Sequence, residues 1–134
     1  MKKINPVVHF EMPYVDKNRM ADFYAKSFGW EYNMLGEDMG NYVVVMTSEE
    51  GPNKRPKDVG MINGGFYEKP KDEMGQCPSV VISVDDINES MKKIEQLGGK
   101  ILGKPDDIPG VGLYVSFQDT EGNRASILQP SKEM

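Results

Sequence analysis

The sequence contains little cysteine, little histidine and no long apolar run, and each shortage removes a class of function. One cysteine, Cys77, cannot form a disulfide framework within the chain and is typical of a reducing compartment, so we expect a cytoplasmic protein. One histidine, His9, restricts metal chemistry before any motif is considered. No apolar run approaches the ~20 residues that cross a bilayer. No apolar segment follows the N-terminal lysines, so a secretory signal is not expected either.

The charge balance argues against nucleic acid as a partner. Sixteen basic residues against 21 acidic ones give a net charge of −5. Proteins that bind DNA or RNA normally present a basic face, and the sequence contains no basic cluster large enough to form one. The 134 residues, 38% of them hydrophobic, suit one domain with a substantial core. We therefore expect a globular protein that binds neither nucleic acid nor membrane.

The order of predicted elements repeats along the chain. An offset of 70 residues separates Asp16 from Asp86, each a candidate helix N-cap, and Gly29 from Gly99, each a candidate helix stop. Each half consists of a strand, a helix and three further strands, which predicts two βαβββ modules and an α+β fold class. Module one covers about residues 5–68, a linker about 69–78, and module two about 79–130, within one domain over 1–134.

Alternating and helical hydrophobic patterns predict the individual elements. In the first half we predict strands at 7–12, 30–32, 42–47 and 60–67 and a helix at 17–28 whose apolar face is Met20, Phe23, Tyr24 and Phe28. In the second half we predict strands at 80–84, 100–103, 111–117 and 124–129, with a helix that starts after Asp85 or Asp86 and stops at Gly98. Pro13 is predicted to end the first strand, residues 105–110 to form a turn, and residues 48–58 to form a loop.

Three segments carry a resemblance to a known family: VHFEMPYVD with ADFYAKSFGW, then ISVDDINESMKKIEQLGGKI, then DIPGVGLYVSFQDTEGNRASILQP. Together, at these spacings, they resemble the vicinal oxygen chelate superfamily of glyoxalases, bleomycin-resistance proteins and extradiol dioxygenases. The resemblance covers nearly the whole chain and is greatest to small glyoxalase-like proteins without an assigned reaction. It implies that the two modules form a curved mixed sheet around a cleft, and that the protein is a homodimer.

The resemblance also supplies a test for a metal site, because active members hold a divalent metal on cleft-facing strands. It implies a first ligand at His9, whereas Ser79 stands where a histidine is usual and Ser126 where a glutamate is usual. The last ligand position lies on the strand before the linker, where Asn63 and Glu68 offer oxygens without a clear match. First-row metals select nitrogen, oxygen and sulfur donors by number and type, and a neutral hydroxyl is a poor donor. We therefore expect no cofactor; a divalent metal is possible but disfavoured.

Strand alternation places His9 and Glu11 on one face of the first strand, which makes them a candidate acid–base pair. The alternative is that His9 is a wall residue hydrogen-bonded to Glu11 or water. Candidate ligand-binding residues on the other strands are Met46, Asn63, Ser79, Tyr114, Ser116, Arg124 and Ser126. An arginine of this kind could bind a carboxylate or phosphate through two hydrogen bonds, or form a surface salt bridge.

These residues favour a metal-independent protein that binds a compact polar or aromatic small molecule. One alternative is an enzyme that acts on a small oxygenated substrate, either a metal-dependent lyase, isomerase or dioxygenase or a metal-free variant that uses His9 and Glu11. Another is an antibiotic-binding resistance protein. The net charge of −5 is compatible with a cationic drug, but aromatic residues at 9% are not enriched. The sequence leaves open whether the protein is an enzyme.

Overall fold

The computed structural model describes residues 4–52, 56, 58–71 and 75–131. The chain divides into two compact units, one over His9–Pro78 and one that begins at Ser79 and includes the N-terminal segment up to Val8. Each unit contains helix and mixed sheet in the order strand, helix and three strands, which confirms the predicted α+β class and the βαβββ modules. Parts of the predicted 48–58 loop and of the 69–78 linker lie outside the described residues.

The first unit is a four-stranded mixed sheet with one α-helix. Its elements are β1 (Val7–Tyr14), α1 (Lys17–Phe28), β2 (Glu31–Met34), β3 (Val43–Met46) and β4 (Asn63–Glu68), with a short 3₁₀ helix at Glu37–Met39. β1, which enters this unit at His9, pairs in parallel with β4. β4 pairs antiparallel with β3, and β3 with β2. The strand order from the parallel pair outward is therefore β1-β4-β3-β2.

The second unit repeats this arrangement. Its elements are β5 (Ser79–Ser83), α2 (Ile87–Gln96), β6 (Lys100–Ile108), β7 (Gly112–Gln118) and β8 (Arg124–Pro130). β5 pairs in parallel with β8, while the β8–β7 and β7–β6 pairs are antiparallel, so the order is β5-β8-β7-β6. The topology matches that of the first unit strand for strand, which confirms the predicted repeat.

Each unit has its own hydrophobic core. In the first, Tyr14, Val43, Val45 and Phe66 are buried, with Met20 and Tyr24 of α1 packed against them. Trp30, which lies between α1 and β2 in the sequence, stacks on Tyr24 with ring centroids 4.7 Å apart. In the second, Val84, Ile87, Val115 and Ile127 are buried, with Met91 and Ile94 of α2 beside them. Because strand side chains alternate, the face opposite each core carries His9 and Glu11 in the first unit and Tyr114, Ser116, Arg124 and Ser126 in the second.

Two prolines lie inside strands, although Pro13 was predicted to end a strand and Pro105 to begin a turn. β1 continues through Pro13 to Tyr14, because Tyr14 is buried in the core and its hydroxyl donates to the carbonyl of Asn41. β6 runs to Ile108 through Pro105, although the sequence predicted a short strand and a turn. β6 pairs only with β7 inside its unit, and the register shifts between Leu102 and Asp106. The ladder is interrupted between these two residues, so the missing N–H of Pro105 removes no hydrogen bond from it.

The helix ends follow the predicted caps, whereas the exposed face of α1 is more apolar than expected. The Asp16 side chain accepts the backbone N–H of Arg19, and Gly29 ends α1 at φ 75°. Asp86, and not Asp85, is the N-cap residue of α2. Phe23 and Phe28, predicted on the buried face, are 57% and 64% exposed. No helix in the described ranges is long and apolar enough to cross a membrane.

The N-cap of α2 gives a first prediction. Asp86 accepts the backbone N–H groups of Asn88 and Glu89 through one carboxylate oxygen, so Asp86→Ala should leave two donors unpaired. We expect this change to lower the free energy of unfolding by ~1 kcal/mol, measured by urea denaturation. Asp86→Asn, which keeps an acceptor oxygen, should cost much less. Equal losses in both variants would show that the cap is not what stabilises this end of α2.

Candidate functional site

The first unit joins His9, Tyr42 and Glu11 in one chain of hydrogen bonds. His9 and Glu11 lie two residues apart on β1 and so share a face, and Tyr42 directly precedes β3. The Tyr42 hydroxyl donates to Glu11 Oε2 at 3.0 Å and lies 3.0 Å from His9 Nε2. Glu11 is buried, at 8% exposure, and His9 is partly buried. The predicted pair is therefore connected through a phenol that the sequence analysis did not include.

Tyr42 holds this position because β4 carries a glycine beneath it. Gly65 pairs with Glu11 across the β1–β4 ladder and therefore points to the same face. A Cβ atom on Gly65 would overlap the ring and hydroxyl of Tyr42. The φ angle of Gly65 is not positive, so this position does not need the backbone freedom of glycine. It needs a residue without a side chain. Gly65 thus makes room for the phenol that links His9 to Glu11.

The second unit brings five of the predicted ligand-binding residues into one network. Arg124 donates from Nη1 to Ser116 Oγ at 3.5 Å and from Nη2 to Ser79 Oγ at 3.3 Å. Ser116 Oγ lies 2.9 Å from Ser126 Oγ, and Ser126 donates to the Tyr114 hydroxyl at 2.8 Å. Because Ser126 gives its one proton to Tyr114, Ser116 must donate to Ser126. All donors in this network therefore point from Arg124 toward Tyr114.

The network has a buried part and a part that is accessible to solvent. Ser126 is 0% exposed and Ser79 is 8% exposed, so a ligand cannot reach them without displacing other groups. Tyr114, Ser116 and Arg124 are partly exposed. The buried serines therefore hold the accessible guanidinium and hydroxyls in place.

A tight turn sets the position of Arg124 at the start of β8. Asp119 accepts the backbone N–H groups of Glu121 and Asn123, and Asn123 also donates its side-chain amide to Asp119. The hydrogen bonds from Asn123 keep the pKa of Asp119 below its usual range. The DTEGN segment thus closes the β7–β8 hairpin immediately before the arginine.

The other two predicted ligand-binding residues belong to neither network. The Asn63 side chain accepts the backbone N–H of Thr47 at 2.8 Å, so it fixes the segment after β3 to the start of β4. Met46 lies at the end of β3 opposite Glu31 and is half-buried.

The repeat identifies the family ligand position that had no match in the sequence. On β8, Ser126 lies opposite Val81 of β5. Val81 follows Glu11 by the repeat offset of 70 residues, and Glu11 lies opposite Gly65. Gly65 is therefore the first-unit counterpart of Ser126, and this position has no side chain at all.

The side chains at these positions do not fit a divalent first-row metal. Such a metal takes three or four nitrogen, oxygen or sulfur ligands. Of the four family positions, only His9 offers a strong donor, since the others are Gly65, Ser79 and Ser126. In the second unit the positive guanidinium of Arg124 contacts Ser79. Within the described ranges, no group of three or more His, Cys, Asp and Glu residues could hold a metal ion.

Burial gives His9 the protonation state of a base. Desolvation lowers the pKa of His9 below its usual 6.5, and attraction to the Glu11 carboxylate offsets part of this effect. The ring is therefore neutral near pH 7 and can accept a hydrogen bond or a proton.

The two opposing effects on His9 give a second prediction. In an NMR titration the ring should titrate below pH 6.5. Glu11→Gln should lower this pKa further, because it removes the charge that favours the imidazolium. His9 is the only histidine of the chain, so its ring signals need no assignment. A pKa that rises in Glu11→Gln would contradict the electrostatic account.

The contact between Tyr42 and Gly65 gives a third prediction. Gly65→Ala should lower the free energy of unfolding by ~1–3 kcal/mol in urea denaturation, because the added methyl group collides with the ring. The same change made in a Tyr42→Ala background should cost much less, because the space is then empty. If Gly65→Ala costs the same in both backgrounds, the ring does not set the requirement for glycine.

Comparisons of the sequence and of the fold show which known proteins this chain resembles. Residues 7–127 match the family described as Glyoxalase/Bleomycin resistance protein/Dioxygenase superfamily. The chain is 27% identical over 121 residues to a glyoxylase-like domain-containing protein from Didymella fabae, with 87% of this chain and 88% of that protein covered. It is 24% identical over 125 residues to the anthracycline biosynthesis protein DnrV from Streptomyces peucetius, with 84% of this chain but only 42% of DnrV covered.

The fold comparison agrees with the sequence comparison. The structure of a single-residue variant of Streptomyces coelicolor methylmalonyl-CoA epimerase in complex with 2-nitronate-propionyl-CoA superimposes with a TM-score of 0.69. That match covers 97% of both chains at 13% identity, so it speaks for the fold alone. The family match extends over most of the sequence and includes β1 through the middle of β8. The chain therefore belongs to the glyoxalase/bleomycin resistance protein/dioxygenase superfamily.

Proposed function

We propose that the protein is a metal-independent small-molecule-binding member of this superfamily, with Arg124, Ser116 and Tyr114 in contact with the ligand. The observation that carries the proposal is the guanidinium of Arg124 held among hydroxyl groups on one face of the second sheet. A permanently charged group at this place supplies what a metal supplies in other members, namely positive charge for a ligand oxygen.

The hydrogen-bond order indicates the kind of ligand. The network donates from Arg124 through Ser116 and Ser126 to Tyr114, so its charged end is a donor. Donors match a ligand with oxygen acceptors, and the charge of Arg124 favours an anionic one. The Tyr114 ring adds apolar surface. A small aromatic or aliphatic carboxylate has the chemistry that this site would bind.

A metal-free enzyme is a second candidate, and the His9–Tyr42–Glu11 chain supports it. A neutral imidazole tied to a carboxylate through a phenol is an arrangement that general-base catalysts use. An antibiotic-binding role is less well supported. Arg124 carries the same sign of charge as a cationic drug, which it would repel.

A cytoplasmic location and a homodimeric assembly remain predictions from the sequence and the family resemblance.

Binding of benzoate tests the proposed function and is our fourth prediction. Isothermal titration should detect benzoate binding to the wild-type protein in buffer that contains a chelator. Arg124→Gln should weaken binding by ~10-fold or more, because a hydrogen bond to a charged group is lost. The neutral analogue benzyl alcohol should bind more weakly than benzoate to the wild type and be little affected by the substitution.

Arg19→Gln is the matched control, because Arg19 is exposed on α1 and its removal changes the net charge equally. It should leave benzoate affinity unchanged. The proposal is wrong if benzoate does not bind the wild type, or if both arginine variants weaken it to the same extent.

A further inference from the structure

We propose that Tyr42 holds His9 in the tautomer that carries its proton on Nε2, so that Nδ1 offers its lone pair to a hydrogen-bond donor on a ligand. Tyr42 is then a positioning residue that acts through His9. The inference deepens the second candidate function of the first unit. The ligand part of it rests on that function, while the tautomer itself is a property of the free protein.

A count of the protons shared by His9, Tyr42 and Glu11 leads to this tautomer. A tyrosine hydroxyl has one proton, and Tyr42 donates it to Glu11 Oε2. The contact between the Tyr42 oxygen and His9 Nε2 spans 3.0 Å, and one side of it must supply a proton. The phenol has none left, so Nε2 must carry it. A neutral imidazole has only one N–H, which leaves Nδ1 without a proton.

The surroundings of Tyr42 limit the alternatives. The ring lies over Gly65, where no side chain can displace it, and its hydroxyl contacts the carboxylate of Glu11, a residue that is only 8% exposed. Rotation of the phenol proton toward Nε2 would set the lone pairs of the phenol oxygen against Glu11 Oε2 at 3.0 Å, which is unfavourable. The fold therefore favours one direction of donation, from His9 to Tyr42 to Glu11.

The second ring nitrogen of His9, Nδ1, is the one left for a ligand. Within the residues that the structure describes, the hydrogen bond of the His9 ring is made by Nε2, and none is made by Nδ1. The side chain is partly exposed. An unprotonated ring nitrogen accepts a hydrogen bond from a hydroxyl or amide N–H group and repels a carboxylate oxygen. The group expected to approach His9 is therefore a hydrogen-bond donor, in contrast to the oxygen acceptor expected at Arg124.

The tautomer can be measured directly on the free protein. In a ¹⁵N-labelled sample above pH 6.5, long-range ¹H–¹⁵N correlations through the ring carbons distinguish a protonated from an unprotonated nitrogen, and all imidazole signals come from His9. We expect the pattern of a single tautomer, with Nε2 protonated. The pattern of the Nδ1–H tautomer, or an average of the two, would overturn the proposal. The wild-type spectrum decides this point even if no variant folds.

A pair of tyrosine variants tests the role of Tyr42. Tyr42→Phe removes the acceptor for the Nε2 proton, so the ring should become a mixture of tautomers and its two nitrogen shifts should move toward each other. Tyr67→Phe is the matched control, because it also removes a hydroxyl that is hydrogen-bonded in the first unit, to the carbonyls of Gly75 and Cys77. It should leave the His9 spectrum unchanged. If Tyr42→Phe keeps the wild-type pattern, Tyr42 does not set the tautomer.

The ligand class is tested with phenol and anisole as probes. Phenol can donate a hydrogen bond, whereas anisole, its methyl ether, cannot. Phenol should shift the Nδ1 resonance of the wild-type protein upfield in a saturable manner, and anisole should not. Equal shifts with both probes, or none with phenol, would refute the assignment of Nδ1 as an acceptor for ligands. This result is independent of benzoate binding at Arg124, so the two proposals can fail separately.

Discussion

The contact between the Tyr42 ring and the backbone at Gly65 is the constraint on which the first unit depends. It exists because β1 and β4 pair with Glu11 opposite Gly65, so that the phenol of Tyr42 can lie across β4 and reach both His9 and Glu11. Any side chain at position 65 would displace it. One missing side chain therefore has two effects: it removes a position from which a metal ligand could project, and it makes room for a hydrogen-bonded chain that ends on an imidazole.

The second unit has the same topology but different chemistry at equivalent positions. Ser79 stands at the repeat position of His9, and Ser126 at that of Gly65. Their hydroxyls are buried and join Ser116, Tyr114 and Arg124 in a network of donors. The two modules have thus diverged into complementary types, since one offers an acceptor at His9 and the other offers donors and positive charge. Neither set has the donors that would hold a divalent metal in the manner of active superfamily members.

Local sequence patterns predicted the elements and the faces of the strands, because those depend on neighbours along the chain. Asp16 and Gly29 bound α1 as predicted, and alternation correctly placed His9 and Glu11 on one face. Tyr42 was missed, since its role depends on the register between β1, β3 and β4, which no local pattern reveals. The signal that could have found it is the Gly64–Gly65 pair inside a strand, which often marks a close approach by another group. Phe23 and Phe28 fit the helical period but stay exposed, because α1 turns only Met20, Ala21 and Tyr24 inward.

The metal content of the purified protein tests the central claim most directly. The protein would be expressed in unsupplemented medium, purified without chelator or added metal, and examined by elemental analysis and native mass spectrometry on one sample. The account predicts no stoichiometric zinc, nickel, manganese or iron, and a native mass explained by polypeptide with or without an organic ligand. One equivalent of metal per chain, retained through purification and lost in His9→Ala, would contradict it and make the protein a metal-dependent member of the superfamily.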